Sequence, residues 1–171
     1  MDNINNISLV VCDVDGVLAD GRIMYGDNDI ELKCFNIKDG LIIKYLPRLG
    51  SSVLLLTGRS SYAVKKRAHE LECNLVENAT NKEEVLTDYI RKIGISFENV
   101  AYIGDDLNDF SAMILCGYKA CPADAAVEIR EISDYISPCY GGYGAVRDIC
   151  EDILKRNGRY EMLLSLFGLN N

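Results

Sequence analysis

Two aspartates one residue apart, Asp13 and Asp15, stand directly behind the apolar run Ile7-Ser-Leu-Val-Val-Cys12. Thr57-Gly58-Arg59 trails Ser52-Val-Leu-Leu-Leu56 in the same way, and Asp105-Asp106 trails Val100-Ala-Tyr-Ile103, with Lys82 between these two groups. Carboxylates brought together at one edge of a sheet repel unless a cation neutralises them. A hard divalent ion with oxygen ligands does so, and Mg²⁺ suits a site with few protein carboxylates and an incoming phosphate. In a locally extended Asp13-Val-Asp15 both side chains lie on one side of the chain, and Gly16 then permits a sharp turn beside the ligand. The Thr57 hydroxyl, the unobstructed Gly58 backbone N–H and the Lys82 ammonium are groups that neutralise the equatorial oxygens of a phosphoryl group in transfer. The set reads as a phosphoryl-transfer site. Asp13 would attack phosphorus, and Asp15 would protonate the leaving alkoxide and then take a proton from water.

Such residues need a frame that delivers them to one place. Strands expected at Ile7–Cys12, Ser52–Thr57 and Val100–Ile103 are apolar almost throughout, as strands buried on both faces of a parallel sheet are. Weaker strands are expected at Leu75–Val76, Tyr118–Cys121 and Tyr135–Ile136, and helices over 39–49, 60–72, 82–93, 107–116, 124–131 and 143–157. Alternating β and α units predict an α/β fold, a three-layer, doubly wound, Rossmann-like parallel sheet, whose ligands bind beyond the carboxyl ends of the strands. Residues 19–38 break the alternation. Arg22–Tyr25 and Ile30–Phe35 flank Gly26-Asp-Asn-Asp29 and predict a β-hairpin inserted after the first strand, with no room for a cap domain. The boundaries expected are a single domain over 1–158 and an apolar tail over 159–171 that serves a contact between subunits.

The chain has 171 residues, with 18 Lys+Arg against 26 Asp+Glu and a formal charge of −8. That surface argues against nucleic acid as a partner, and no apolar run reaches the ~20 residues of a membrane span. Seven cysteines without a C-x-x-C pair fit reduced thiols in a cytoplasmic protein better than a disulfide framework.

Taken in order, Asp13-Val-Asp15-Gly-Val-Leu18, Thr57-Gly-Arg59, Lys82 and Gly104-Asp105-Asp106-Leu-Asn-Asp109 resemble the haloacid dehalogenase superfamily of phosphatases. Within it, Glu31-Leu-Lys33-Cys-Phe35-Asn36-Ile-Lys-Asp39-Gly40, Lys66-Arg67-Ala68 and Gly141-Gly-Tyr-Gly-Ala-Val-Arg147 are similar to the capless, tetrameric group typified by 3-deoxy-D-manno-octulosonate 8-phosphate phosphatase. The resemblance implies Mg²⁺ held by the Asp13 carboxylate, the Asp15 backbone carbonyl and the Asp105 carboxylate. Asp109 would orient Lys82, with Asp106 beside it. It also implies a homotetramer in which a neighbouring subunit helps close each active site, and Gly58, Arg59 and Arg67 as substrate contacts, Arg67 from the adjacent subunit. A substrate carboxylate suits such arginines, because a guanidinium binds it bidentately.

The expected substrate is a phosphorylated keto-sugar acid of lipopolysaccharide synthesis, 3-deoxy-D-manno-octulosonate 8-phosphate. Tyr143 stands where such phosphatases usually carry a basic residue, and Pro122-Ala-Asp-Ala125 looks closer to the phosphatase-like domain attached to some CMP-sialate synthetases. Nonulosonate 9-phosphates are therefore the alternative. A non-catalytic or signalling phospho-aspartate module is the alternative of another class, but a receiver carries its phosphoacceptor after the third strand and lacks the hairpin. His69 and the Lys65–Arg67 run read most simply as a solvated helix face, and Cys12 as core packing.

Overall fold

The computed structural model describes residues 6–27 and 30–169. Its elements run β1 (Leu9–Cys12), β2 (Met24–Tyr25), β3 (Glu31–Leu32), α1 (Ile37–Tyr45), β4 (Ser52–Leu56), α2 (Tyr62–Leu71), β5 (Asn74–Val76), α3 (Lys82–Ile93), β6 (Val100–Ile103), α4 (Phe110–Met113), β7 (Tyr118–Cys121), α5 (Val127–Ile132), β8 (Tyr135–Ile136), α6 (Ala145–Arg156) and α7 (Tyr160–Leu166). Six strands form one parallel sheet in the order β5-β4-β1-β6-β7-β8. The sheet separates two apolar layers, giving the doubly wound α/β fold expected.

Strand alternation decides which residue enters which layer. Val10 and Cys12 of β1, with Val53 and Leu55 of β4, face α1, α2 and α6; Leu9, Val11, Leu54 and Leu56 face α3, α4 and α5. Both faces of β1 are covered, so all four of its residues are buried. β1 is flanked by β4 and β6 in register, Cys12 lying opposite Leu55 on one side and Ile103 on the other. The carboxyl ends of these three strands therefore finish level. Asp13, Thr57 and the Gly104-Asp105 turn leave the sheet side by side.

The helix limits differ from the sequence reading where local hydrogen bonds compete. The helix expected over 107–116 contracts to Phe110–Met113, because Asp106–Asp109 is used as a turn, with the Asp109 N–H donating to the Asp106 carbonyl at 2.9 Å. The ladder of the inserted hairpin is also shorter than expected: among the described residues Met24 pairs with Leu32 and Tyr25 with Glu31, and a separate antiparallel bridge joins Ala19 to Phe35. Asn28 and Asp29 of its expected turn lie outside the described residues.

The apolar tail forms α7 against its own domain. Leu163 is buried in the core layer of α1 and α6, the Phe167 ring meets Tyr45 at 4.9 Å between centroids, and Arg159 donates to the Leu49 carbonyl at 3.0 Å. Met162, Leu166 and Leu169 stay exposed. No helix among the described residues is long and apolar enough to cross a membrane.

Candidate active site

Asp13 extends β1 by one residue, its N–H donating to the Ile103 carbonyl at 2.9 Å, and its side chain is almost wholly buried. Thr57 is held in the same way beyond β4, by a bond from its N–H to the Val76 carbonyl at 3.0 Å. Lys82 is the first residue of α3, whose N-terminus is capped by the Asn81 side chain accepting from the Glu84 N–H. That start aims Lys82 under the sheet edge. Its Nζ lies 2.7 Å from a carboxylate oxygen of Asp13 and 2.7 Å from one of Asp109.

Asp109 is the hub beneath this floor. One of its oxygens accepts from Lys82 and from the Tyr102 hydroxyl, each at 2.7 Å, and the other accepts from the Asp105 N–H at 3.2 Å. Carboxylate oxygens of Asp13, Asp105 and Asp109 all lie within 4.8 Å of one another. Asp109, fully buried and already accepting from several donors, has little capacity left for a cation. Asp13 and Asp105 are different, and Oδ1 of Asp105 is buried without a hydrogen-bond partner. Hard carboxylate oxygens, one of them orphaned, fit a divalent ion such as Mg²⁺.

The electrostatics agree. Burial, followed by the charge of Asp109, pushes the Asp13 carboxyl up to about 7 against the pull of Lys82. Burial, followed by Asp13 and Asp109, pushes Asp105 up to about 8. For Lys82 burial alone would lower the pKa, but the two carboxylates outweigh it and the ammonium is held above its ordinary value. Three carboxylates against one ammonium leave excess negative charge, which a divalent cation on Asp13 and Asp105 would offset.

Backbone conformation makes room for this crowding. Gly16 has φ +95°, and a Cβ there would lie 1.9 Å from Oδ2 of Asp105. Only glycine allows the Asp13–Gly16 turn to pass so close. That turn is backed from behind: a Cβ on Gly141 would lie 1.8 Å from the Gly16 carbonyl oxygen, and the Gly142 N–H donates to the Val17 carbonyl at 2.8 Å. The loop carrying these glycines is tied to α1 by buried Asp39, whose carboxylate accepts from the N–H groups of Gly144 and Arg147 at 3.2 and 2.7 Å.

A cavity of about 210 Å³ opens above the floor, lined by Asp13, Asp15, Thr57, Gly58, Arg59, Asp105, Asp106 and Asn108. The structure thus gathers most of the residues expected from the sequence. Asp15 turns its carboxylate from the Asp13–Asp105 pair towards Lys33, with which it forms an ion pair. Thr57 accepts from the Arg59 N–H at 3.2 Å, leaving its own hydroxyl hydrogen to donate into the cavity. Asp106 caps its own turn, accepting from the Leu107 N–H at 2.8 Å.

Arg67 does not join them. Its guanidinium packs over Phe35 at 5.7 Å, donates to the Asn36 carbonyl at 3.2 Å and lines a separate groove with Lys33, Ala63, Lys66 and Glu70. His69 is exposed and Cys12 lies in the core, as expected.

Four site residues escaped the sequence reading as individuals. Asn108 reaches the cavity from within a motif already noted, and Tyr102 reaches Asp109 from the middle of a strand. Lys33 and Glu31 come from the inserted hairpin, where alternating charges look like an ordinary solvated edge. The side chain of Lys33 is nevertheless 0% exposed. A lysine that must bury its charge requires carboxylate partners, but only the fold shows which.

A family model described as haloacid dehalogenase-like hydrolase matches residues 72–146. Over 162 residues the chain is 38% identical to the 3-deoxy-D-manno-octulosonate 8-phosphate phosphatase KdsC of Salmonella typhi, covering 94% of this chain and 86% of that one. The fold matches the crystal structure of the Moraxella catarrhalis 3-deoxy-D-manno-octulosonate 8-phosphate phosphatase in complex with magnesium ion, phosphate ion and KDO. The TM-score is 0.91 at 38% identity, over 94% of this chain and 93% of the other. The cobalt-bound form of the Haemophilus influenzae phosphatase matches with a TM-score of 0.91 at 33% identity, over 98% of each chain. With an acidic floor of this geometry and so close a relationship along nearly its whole length, the chain belongs to the haloacid dehalogenase-like hydrolases, in the family of the 3-deoxy-D-manno-octulosonate 8-phosphate phosphatases.

Proposed function

We propose that this protein is a cytoplasmic, Mg²⁺-dependent phosphatase that hydrolyses 3-deoxy-D-manno-octulosonate 8-phosphate through an aspartyl-phosphate on Asp13. The observation that carries the reading is the buried Asp13–Asp105 pair on the cavity floor, in a chain 38% identical to a phosphatase whose crystal holds magnesium, phosphate and KDO. The Asp13 and Asp105 carboxylates and the Asp15 backbone carbonyl would hold Mg²⁺, which supplies Lewis-acid neutralisation of phosphoryl oxygens.

The chain's own groups carry the proton and phosphoryl transfers. An Asp13 carboxylate oxygen attacks phosphorus, and the bond to the sugar oxygen breaks with its electron pair leaving on that oxygen. Asp15 donates the proton that makes it a neutral alcohol. In the second half, water attacks the phosphorus of the acyl phosphate and loses a proton to Asp15. Phosphate departs and the Asp13 carboxylate is restored. Lys82, the Thr57 hydroxyl and the Gly58 N–H surround the phosphoryl oxygens throughout, and Asp109 holds Lys82 in place.

Arg59, at the cavity wall, reads the sugar carboxylate. The cavity of about 210 Å³ in one chain falls below the ~300–1,000 Å³ usual for small-molecule sites, which supports completion by a neighbour. Ile23, Met24, Tyr25, Ile30 and Leu32 leave the hairpin apolar and exposed, a surface suited to association into a homotetramer. In that assembly Arg67, outside its own chain's cavity, would serve an adjacent site. Seven free cysteines are in keeping with a reducing compartment.

The test is Mg²⁺-dependent phosphate release across eight- and nine-carbon sugar-acid phosphates, with hexose phosphates as controls. The octulosonate is expected to exceed the hexose phosphates in kcat/KM by at least about tenfold, the equivalent of about 1.4 kcal/mol from its carboxylate on half-exposed Arg59. A nonulosonate 9-phosphate as the best substrate would replace the substrate assignment. Equal rates on all compounds would remove the role of Arg59.

A further inference from the structure

Four charged side chains of alternating sign run from the catalytic loop to the cavity rim. Asp15 pairs with Lys33, Lys33 lies 3.3 Å from Glu31, and Glu31 accepts from the Arg59 guanidinium at 3.0 Å. Two come from loops that follow strands of the main sheet, and the other two, Glu31 and Lys33, from the inserted hairpin. The Lys33 side chain is wholly covered, whereas the Arg59 side chain is 45% exposed and lines the cavity. Glu31 therefore touches a buried cation on one side and a half-exposed one on the other. With Asp15 and Lys33 balancing each other, and Glu31 and Arg59 likewise, the string adds no net charge to the rim.

From this geometry we infer that Glu31 is a positioning residue for substrate selection: it holds the Arg59 guanidinium at the cavity wall with donors left over for the carboxylate of the sugar acid. The inference rests on the reading of Arg59 given above and adds the group that makes that contact effective. An unrestrained arginine on the rim would have many rotamers to lose when the substrate arrives. Glu31 engages only one terminal nitrogen of the five-donor fork, and Tyr25 from the same hairpin stands close enough to reinforce the hold. The negative charge of Glu31 does not repel the incoming carboxylate strongly, because Lys33 and Arg59 enclose it. The hairpin is thereby more than a substitute for a cap: it pre-sets Arg59, the one cationic side chain among the described residues that line the cavity.

The test compares kcat and KM for 3-deoxy-D-manno-octulosonate 8-phosphate with those for a hexose 6-phosphate, which has no carboxylate, in Glu31→Gln, Arg59→Ala and the double variant. Glu31→Gln is expected to lower the preference for the sugar acid by about three- to tenfold, chiefly through KM, which is the cost range of ordering one long side chain. Arg59→Ala should lower it at least as far, and adding Glu31→Gln to Arg59→Ala should lower it no further. Glu31→Ala must act in the same direction as Glu31→Gln. A preference unchanged or increased in Glu31→Gln would overturn the inference while leaving the role of Arg59 intact. So would an additive double variant, or a loss in kcat shared equally by both substrates, since Glu31 would then act through Lys33 on Asp15. If Arg59→Ala itself leaves the preference unchanged, the reading of Arg59 fails and the inference falls with it.

Discussion

Asp109 organises the candidate site from beneath its floor. It takes hydrogen bonds from Lys82, Tyr102 and the backbone N–H of Asp105, and so ties the cation, the sheet and the metal-side loop together. Removing the hydroxyl in Tyr102→Phe leaves that buried carboxylate short of a donor and is expected to cost about 1.5–3 kcal/mol of stability, the scale for a hydrogen bond to a charge. Thermal unfolding would check it, and a Tm equal to wild type would show that the bond is dispensable. Asp13→Asn should abolish phosphate release, and Asp15→Asn nearly so, with circular dichroism preserved, because Lys82 keeps Asp109 and Lys33 keeps Glu31 as carboxylate partners; full turnover in Asp13→Asn would refute the nucleophile. Asp13, Asp15, Thr57, Lys82 and Asp105 were legible in the sequence, since each is an ionic or hydroxylic residue at the end of an apolar strand or the start of a helix. Lys33, Glu31 and Tyr102 were not. Apart from the Lys33–Glu31 pair itself, their partners lie between 7 and 28 residues away, and nothing local distinguishes a buried charge from a solvated one.

At the scale of elements, the parallel sheet was readable because strands buried on both faces leave an unbroken apolar signature. The short α4 and the two-residue strands of the hairpin were misjudged in length, since the Asp106–Asp109 turn delays the start of the helix and the hairpin's pairing is interrupted before the Ala19–Phe35 bridge. The Gly16 turn yields a sharp expectation. In Gly16→Ala the new methyl would meet Asp105, so Mg²⁺ should bind at least about tenfold more weakly, a change of ~1.4 kcal/mol or more, for a φ that itself disfavours alanine. Isothermal titration would measure it, and an unaltered Mg²⁺ affinity would show that the loop can yield. For α7, truncation after Gly158 removes buried Leu163, worth about 1.5–3 kcal/mol, and uncovers Tyr45. A lowered Tm with mass and kinetics unchanged would assign the tail to its own domain alone; a lower subunit count would give it the intersubunit role proposed from the sequence.

For the molecule as a whole, the carboxylate floor sets a pH dependence. Asp13 and Asp105 rise from 3.8 to about 7 and about 8 in the folded state. Between those values the folded chain retains protons that the unfolded chain has released. Their contribution to stability is complete below pH 3.8 and disappears as pH climbs through the folded values. Metal displaces the same protons, so the gain in Tm on adding Mg²⁺ should grow between about pH 5 and about pH 8. A gain that is flat with pH would separate cation binding from these two carboxylates. One further consequence belongs to the way Gly141 and Gly142 back the Asp13–Gly16 turn and Asp39 reaches across to α6. Every carboxylate and ammonium of the floor has been added to the chain once Asp109 is in place, yet the brace behind Asp13 has still to be translated. Chains that stop short of Gly141 should therefore hold all of these side chains without the backbone that fixes the Asp13–Gly16 turn, and phosphate release should be absent from them.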